Sequence, residues 1–165
     1  MDTTTVHVMI ATPDVQGEEP VVRRALLLSL RPRFATAILD GSKTVELRRT
    51  RIAALPGTLL VLYASSPIMA VVGTATLVER HTASPSMIWR THRTALGLER
   101  GEFSEYLAGA VRATAITIGN PQALPDPFTL AWLRGHAGFQ PPQSYRYIAP
   151  SDPAPLQNLA ASYVD

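Results

Sequence analysis

The stretch LLLSLRPRFATAILDGSKTVELRR, residues 26–49, predicts a strand, a helix and a second strand in direct succession. Its first five residues are almost all apolar, which is typical of a buried strand. Ser29 suits the N-cap of the helix, Pro32 its first turn and Gly41 a left-handed cap at its end. A helix enclosed between two strands in this way indicates a compact α and β unit rather than a helical bundle.

The segment KTVELRR alternates between two kinds of side chain, as expected of a strand whose faces meet different surroundings. Val45 and Leu47 would face an apolar core. Glu46 and Arg48 would share the opposite face, where their charges lie close together. The alternation therefore predicts one buried face and one polar face for this strand.

The rest of the chain alternates short strands with short helices. Strands are predicted over TLLVLYAS, MAVVGTATLVE, ATAITIG and SYRYI, with Gly73 at a bulge or bend. Helices are predicted over SPSMIWRTH, where Ser84 is the N-cap, over GEFSEYLAG and over LAWLRGH. Five or six short, mostly hairpin-linked strands favour a small mixed β-barrel over a doubly wound sheet. The expected class is α+β or mainly β, with inserted and flanking helices.

The 165 residues fit one domain with a segment on either side of it. Residues 1–22 form a polar lead, residues 23–148 hold the predicted elements, and residues 149–165 form a Pro/Ala-rich tail. We expect both ends to be mobile. The chain has no cysteine, no signal-peptide pattern and no apolar run of membrane-spanning length, which favours a cytoplasmic protein.

Basic residues are concentrated in one part of the chain. Residues 23–51 hold eight basic and two acidic side chains, a local charge of +6, so the remainder carries −4. Such an excess suits a polyanionic partner, with Arg31 and Arg49 among the candidates for contacts to backbone phosphates. A solvated, arginine-rich surface explains the basicity equally well. Lys43 stands apart, since all fourteen other basic residues are arginines.

Lys43 follows the predicted helix end and precedes Glu46 by three residues. In a purely structural interpretation, Lys43 complements the helix dipole while Glu46 pairs with Arg48, a surface pair worth about 0–1 kcal/mol. In a functional interpretation, Lys43 and Arg48 contact phosphates or bases, and Glu46 orients them or accepts from a base edge. In an enzyme, a desolvated Lys43 beside Glu46 would serve as a general base.

The pattern G-x-K-x-x-E-x-R at residues 41–48 resembles the signature of the ASCH family, part of the PUA-like superfamily. The blocks LYASSP, VVGTATL and FQPPQSYRY follow in the order of bacterial ASCH proteins described as predicted transcriptional regulators. The resemblance covers residues 24–148. It implies a PUA-like β-barrel with a cleft between barrel and first helix. Lys43, Glu46 and Arg48 would line that cleft, which in the family is thought to bind RNA or other nucleic acid.

The resemblance also implies two possible enzymatic activities. Some relatives hydrolyse acetylated cytidine, and ribonuclease activity occurs in others. In the amidohydrolases the motif lysine, here Lys43, is catalytic, and a threonine stands where this chain has Glu46. They also use a downstream glutamate, for which Glu79 is a loose candidate. Glu46 departs from that pattern, which speaks against an amidohydrolase. We favour a nucleic-acid-binding module, with an amidohydrolase or a nuclease as the alternative.

Further contacts are predicted near the ends of two strands. Tyr63 is a candidate for stacking on a base, although a core position explains it equally. Ser65 is a candidate for a bond to phosphate, although turn formation is the preferred explanation. In PPQSYRY, Tyr145 belongs to an aromatic and arginine pattern that suits base stacking, whereas packing on the barrel is the favoured alternative. Gln143 and Ser144 are candidate polar contacts in the cleft.

No cofactor and no metal ion is expected. The chain lacks a phosphate-cradling glycine loop, and its histidines have no ligand-like spacing. The expected partner is nucleic acid, RNA rather than DNA, or a modified nucleoside, and no membrane is expected. A third hypothesis is a regulator that acts through a protein partner, which predicts a large exposed apolar patch. The sequence does not indicate an oligomeric state.

Overall fold

The computed structural model describes residues 24–162. Its strands are β1 (Leu26–Leu30), β2 (Val45–Arg48), β3 (Leu59–Ala64), β4 (Ala70–Ala83), β5 (Ala113–Thr129) and β6 (Tyr145–Tyr147). Its helices are α1 (Pro32–Asp40), α2 (Pro85–His92), α3 (Arg100–Tyr106), α4 (Leu130–Arg134) and α5 (Ala154–Ser162). The strands form one mixed sheet in the order β2-β5-β4-β3-β1-β6. The sheet curves into a half-barrel, which confirms the predicted α+β class with a mixed sheet.

The strand–helix–strand unit at residues 26–49 forms as predicted, except at its N-cap. α1 begins at Pro32 after an extended Arg31, and the Ser29 hydroxyl does not cap it. That hydroxyl instead donates to the carbonyl of Pro142, at 2.6 Å, because Ser29 is still part of β1. Gly41 ends α1 with φ of 85°, and its N–H donates to the carbonyl of Ile38. The predicted left-handed cap is therefore confirmed.

β4 and β5 are the longest strands, and they pair with three shifts of register. One shift lies between Val71 and Gly73, which confirms the predicted bulge or bend at this glycine. A Cβ atom at position 73 would lie 2.5 Å from the Gln122 carbonyl oxygen and 2.6 Å from Leu39 Cδ2. The close approach of β5 and α1 therefore requires glycine here.

The alternating side chains of the strands divide among three apolar clusters. Leu26 and Leu28 pack with α1 residues such as Ile38, whereas Leu27 belongs to a second cluster with Leu133 of α4. A third cluster lies beneath α2 and α3. Its buried members are Val45, Leu47, Ile88, Leu96, Phe103, Leu107, Ala113 and Ala115. As predicted, Val45 and Leu47 face this core while the intervening residues of β2 face elsewhere.

Side chains connect the two edge strands of the half-barrel. The Arg48 guanidinium, on edge strand β2, donates to the Ser29 carbonyl at 2.8 Å and to the Ser144 hydroxyl at 3.1 Å. The Tyr145 hydroxyl, on edge strand β6, donates to the Arg51 carbonyl at 3.1 Å. These bonds cross the gap that no strand ladder bridges, and they hold β2 close to β1 and β6.

The described part of the predicted tail packs against the domain. Arg146 of β6 forms a two-bond ion pair with Asp152, with N–O distances of 2.7 and 2.9 Å. Leu156 of α5 is fully buried in the second cluster. Proline and alanine in this segment therefore form a short docked helix rather than a mobile tail. Residues 1–23 and 163–165, which include the polar lead, lie outside the described residues.

None of the helices described for residues 24–162 combines the length and the apolar character needed to cross a bilayer.

Candidate functional site

A cavity of about 520 Å³ lies between α1, β2 and α3, beside the chain that enters β6. Both polar and apolar side chains line it. They are Ser29, Leu30, Arg31, Arg33, Phe34, Lys43, Glu46, Leu47, Arg48, Leu98, Glu102, Glu105, Tyr106, Gln143 and Ser144. Its volume lies within the range typical of small-ligand sites.

Lys43 is the most deeply enclosed charged residue of the cavity, with 2% of its surface exposed. Its ammonium group donates to the Leu96 carbonyl and lies 3.3 Å from Glu46 Oε2. It also lies 4.8 Å from the centre of the Phe34 ring, over its face. The ammonium group is thus held on three sides, by a carbonyl, a carboxylate and an aromatic face.

The backbone fixes both ends of this lysine site. The Lys43 N–H donates to the Ala37 carbonyl at 3.0 Å, which ties the residue to the end of α1. The N–H groups of Thr44 and Val45 both donate to the Ala95 carbonyl, at 3.1 Å each. Gly97, with φ of +65°, continues this loop against the aliphatic stem of Lys43. The loop before α3 therefore forms the wall that removes the lysine from water.

Glu46 and Arg48 project into the same space from alternate positions of β2. Both are 7% exposed, and Glu46 Oε1 lies 3.4 Å from Arg48 Nε. Within the described chain, Glu46 Oε2 and Arg48 Nε are buried and lack a hydrogen-bond partner. Their ion-pair contacts are close enough for Coulomb attraction but poorly aligned for hydrogen bonds. A buried acceptor and a buried donor are thus left available beside the cavity.

Burial lowers the pKa of Lys43 from its usual value of 10.5, because the ammonium group has lost its contact with water. The nearby Glu46 carboxylate opposes this shift, and the positive charges of Arg48 and Arg33 add to it. The net direction is downward. Lys43 is consequently a better proton donor than a solvated lysine.

An ion pair spans the mouth of the cavity. Arg33 of α1 donates to the Glu102 carboxylate of α3, and both side chains are about half exposed. The hydrogen bond from Arg33 is the main reason that the pKa of Glu102 lies below its usual range. Arg31, Glu105 and the half-exposed Tyr106 complete the rim. The mouth therefore offers cations for an anionic ligand and carboxylates that such a ligand would have to displace.

Six of the predicted site residues lie together in this cavity, and four do not. Lys43, Glu46, Arg48, Arg31, Gln143 and Ser144 line it. Tyr63 is 3% exposed within the second cluster, so its ring has no free face for a base. Ser65 shapes a turn, since its carbonyl accepts from Ile68 and Met69. The Tyr145 hydroxyl bonds the Arg51 carbonyl, and Arg49 lines a different cavity.

Several residues of the cavity were missed by sequence reasoning. Ser29 is predicted as an N-cap and Phe34 has no predicted role in the site, because a strand end and a helix face do not indicate a pocket. Glu102 and Glu105 of α3 line the cavity in addition to Glu46, whereas the sequence candidate Glu79 is exposed on β4 and does not line it. The three-residue spacing of Glu102 and Glu105 was the signal in the sequence that both carboxylates lie on one face of the helix.

Two histidines form a pair away from the cavity. His81 Nδ1 of β4 lies 2.9 Å from His92 Nε2 of α2, a hydrogen bond in which one ring donates. Among residues 24–162, no three histidine, aspartate or glutamate side chains lie close enough together to hold a metal ion. The pair therefore acts as a link between the strand and the helix.

Comparison with known proteins is consistent with the fold and the motif. The family model for the ASCH domain matches residues 28–122. A Zymomonas mobilis protein named ASCH domain-containing ribonuclease is 30% identical over 140 residues, which cover 84% of this chain and 94% of that protein. The crystal structure of ASCH from Zymomonas mobilis matches with a TM-score of 0.74 at 27% identity, covering 86% of this chain and 94% of that one.

A structure of a protein from Pseudomonas syringae shares only the fold, with a TM-score of 0.54 at 12% identity over 82% of this chain and 99% of that one. The fold is the α+β PUA-like half-barrel of the ASCH structures. Fold, family model and a relative of similar length all agree. The chain belongs to the ASCH domain family.

Proposed function

We propose that this chain binds single-stranded RNA in the cavity beside α1 and cleaves the strand there. The observation that carries the proposal is the buried group of Lys43, Glu46 and Arg48, in which one carboxylate oxygen and one guanidinium N–H have ion-pair contacts but no hydrogen-bond partner. The ribonuclease name of the Zymomonas mobilis relative supports cleavage as well as binding.

The mouth of the cavity suits an RNA strand. Arg31 and Arg33 offer guanidinium groups for backbone phosphates at the rim. Tyr106, which is 42% exposed, offers an aromatic face on which a base can stack. Single-stranded RNA presents both phosphates and unpaired bases, whereas a duplex hides the faces of its bases. The chemistry of the rim therefore favours a single strand.

The buried residues suit cleavage by the neighbouring ribose. Glu46 Oε2 would accept the proton of a 2′-hydroxyl, whose oxygen then attacks the adjacent phosphorus. Lys43 would donate a proton to the departing 5′-oxygen as its bond to phosphorus breaks. Arg48 would stabilise the charge that gathers on the phosphate oxygens. The products are a 2′,3′-cyclic phosphate and a free 5′-hydroxyl, and DNA is excluded because it lacks the attacking group.

Product masses from matched RNA and DNA strands test the proposal. We expect the wild-type protein to bind and cleave RNA into cyclic-phosphate products, and to leave DNA of the same sequence intact. Glu46→Gln removes the proton acceptor and should reduce cleavage by about 100-fold or more. The exposed Arg93→Gln serves as control, since Arg93 lies outside the cavity on the loop after α2.

The other outcomes distinguish the alternative functions. Binding that depends on Arg48 without any cleavage would favour a reader of RNA, such as a regulator of transcription or translation. Acetylated cytidine, included as a separate substrate, would lose its acetyl group if the cavity were that of an amidohydrolase. Failure to bind any RNA at low salt would contradict the proposal and direct attention to protein partners.

A further inference from the structure

A second cavity, of about 530 Å³, is lined almost entirely by arginine and threonine. Its lining consists of Arg49, Arg51, Arg80, Thr82, Arg112, Ala113 and Thr114. Four guanidinium groups thus surround one concave surface that no acidic residue lines. None of the ion pairs found among residues 24–162 involves any of these four arginines.

The strand register explains why these side chains converge. Arg80 and Thr82 lie two residues apart on β4 and so share a face, and Thr82 pairs with Thr114 across the ladder to β5. Their hydroxyls lie 3.1 Å apart on the floor of the cavity. Arg112 precedes Thr114 by two residues, and Arg49 follows the end of β2. Arginines on or next to the neighbouring strands β2, β5 and β4 therefore lie together at one end of the sheet.

Three of the four guanidinium groups are positioned by backbone carbonyls. Arg49 Nη1 donates to Tyr106 at 2.7 Å and to Ala108 at 3.1 Å. Arg80 donates to Ile52 at 2.7 Å, and Arg112 to Thr82 at 3.5 Å. Each guanidinium carries five N–H groups, so these bonds orient the side chain and leave other donors free. Oriented but uncompensated guanidinium groups suit phosphate oxygens.

Both cavities border the end of β2, where Arg48 lines the first cavity and the next residue, Arg49, lines the second. Tyr106 reinforces the connection, since its side chain lines the first cavity while its carbonyl holds Arg49. Tyr106 of the first cavity is therefore in direct contact with an arginine of the second.

We infer that the Arg49, Arg51, Arg80 and Arg112 cavity is a second RNA subsite, which binds the phosphodiester backbone of a strand whose neighbouring nucleotides occupy the first cavity. The inference rests on the proposed function, because it takes RNA as the ligand. The subsite contributes affinity for long strands and reads no sequence, since guanidinium groups that face phosphates contact no base edge. It has no part in cleavage.

The test compares two lengths of RNA in a doubly substituted protein. Arg51→Gln with Arg112→Gln removes two exposed side chains of the subsite. Arg90→Gln with Arg93→Gln removes the same charge from exposed positions on and after α2, outside both cavities. A dinucleotide reports on the first cavity alone, and a strand of about 12 nucleotides reports on both. Affinity is measured as a function of salt concentration for each pair.

We expect the subsite variant to lose about tenfold or more in affinity for the long strand and to keep its dinucleotide affinity. Its salt slope for the long strand should fall by about 0.7 for each phosphate contact removed, whereas the control variant should match the wild type. Equal losses in the subsite and control variants would overturn the inference, as would a wild type that binds the long strand no more tightly than the dinucleotide.

Failure of the proposed function gives a different pattern. If the long strand binds through Arg51 and Arg112 while the dinucleotide neither binds nor is cleaved, the arginine cavity binds RNA on its own, and both the proposed function of the first cavity and the link between the two cavities are wrong. If the wild type binds no RNA of either length at low salt, both claims fail. Unchanged thermal midpoints of the two variants exclude unfolding as the cause of any lost affinity.

Discussion

Lys43 is the one lysine among fifteen basic residues, and its surroundings explain why an ammonium group stands there. The group lies within reach of a carbonyl, a carboxylate and an aromatic ring, with its stem against Gly97. An ammonium is compact and donates in any direction, whereas a guanidinium is planar and longer. The contacts beside Glu46 therefore suit a compact ammonium group better than a planar guanidinium.

Replacement of Lys43 by arginine tests this explanation while keeping the charge. Lys43→Arg should lower the free energy of unfolding by about 1–3 kcal/mol, because the planar guanidinium cannot reproduce the buried contacts that the ammonium group makes. RNA cleavage should fall with it, since the proton donor is displaced. The exposed Arg93→Lys should change stability by less than about 0.5 kcal/mol. Denaturant titration of both variants provides the check, and an undisturbed Lys43→Arg protein would show that shape does not select the lysine.

The His81–His92 pair gives the stability a dependence on pH. Burial, and then the neighbouring His81, lowers the pKa of His92 from its usual 6.5, while Glu79 opposes the shift. The unfolded chain consequently binds more protons than the folded one in the range below pH 6.5, so stability rises with pH through that range. His92→Gln should flatten this rise. Urea midpoints measured between about pH 5 and pH 8 would show it, and an unaltered rise would rule out His92 as its source.

At the scale of elements, α1 and β2 build the site because their junction is unusually constrained. Gly41 ends the helix, and Lys43 is tied back to it through the Ala37 carbonyl. β2 then delivers Glu46 and Arg48 to the cavity while Val45 and Leu47 enter the core. The positions of the functional residues thus follow from a helix end and a two-residue strand period.

Gly73 and Gly101 differ in the space around them. Gly73 is needed because neighbouring atoms leave no room for a Cβ, whereas Gly101 has free space and only lowers the helix propensity of α3. Gly73→Ala should lower the free energy of unfolding by about 2 kcal/mol or more, because its Cβ would collide with the β5 backbone. Gly101→Ala should raise it by up to about 1 kcal/mol, since Gly101 lies in α3 with no atom near its Cβ position. Thermal or denaturant unfolding measures both. A harmless Gly73→Ala would mean that the strands separate readily at the bulge.

Prediction from sequence succeeded for features that depend only on residues close together along the chain. The cap at Gly41, the Ser84 N-cap and the faces of β2 follow from short-range geometry, and all three are present. It failed where distant segments meet. Tyr63 is buried by α4 and the chain after it, and Glu102 reaches the cavity because α3 packs over β2. Neither of these two contacts between distant segments can be inferred from the spacing of residues along the chain.

At the scale of the whole molecule, the half-barrel is closed by side chains rather than by strand pairing. β2 and β6 are the edges of the sheet, and Arg48 bonds across the gap to the Ser29 carbonyl and to Ser144. The residue proposed to stabilise the phosphate therefore also holds the edges together. This double role predicts that the site and the overall stability respond to the same substitution.

Arg48→Lys should lower the free energy of unfolding by about 1–3 kcal/mol, because a single ammonium cannot reach all the acceptors of the guanidinium and leaves buried polar groups unpaired. Amide hydrogen exchange in β6 should accelerate at the same time, since that edge loses its anchor. Arg112→Lys, at an exposed position with one long hydrogen bond, serves as the comparison. If Arg48→Lys and Arg112→Lys were equally stable, residues other than Arg48 would have to hold the two edge strands together.

The central claim is that RNA occupies the cavity of Lys43, Glu46 and Arg48. The most direct measurement is a crystal structure of the slowed Glu46→Gln protein with a ribodinucleotide. The account predicts a 2′-hydroxyl within hydrogen-bond distance of the side chain at position 46, and a phosphate beside Arg48 and Lys43. A dinucleotide bound anywhere outside this cavity, with the cavity itself empty at saturating ligand, would contradict it.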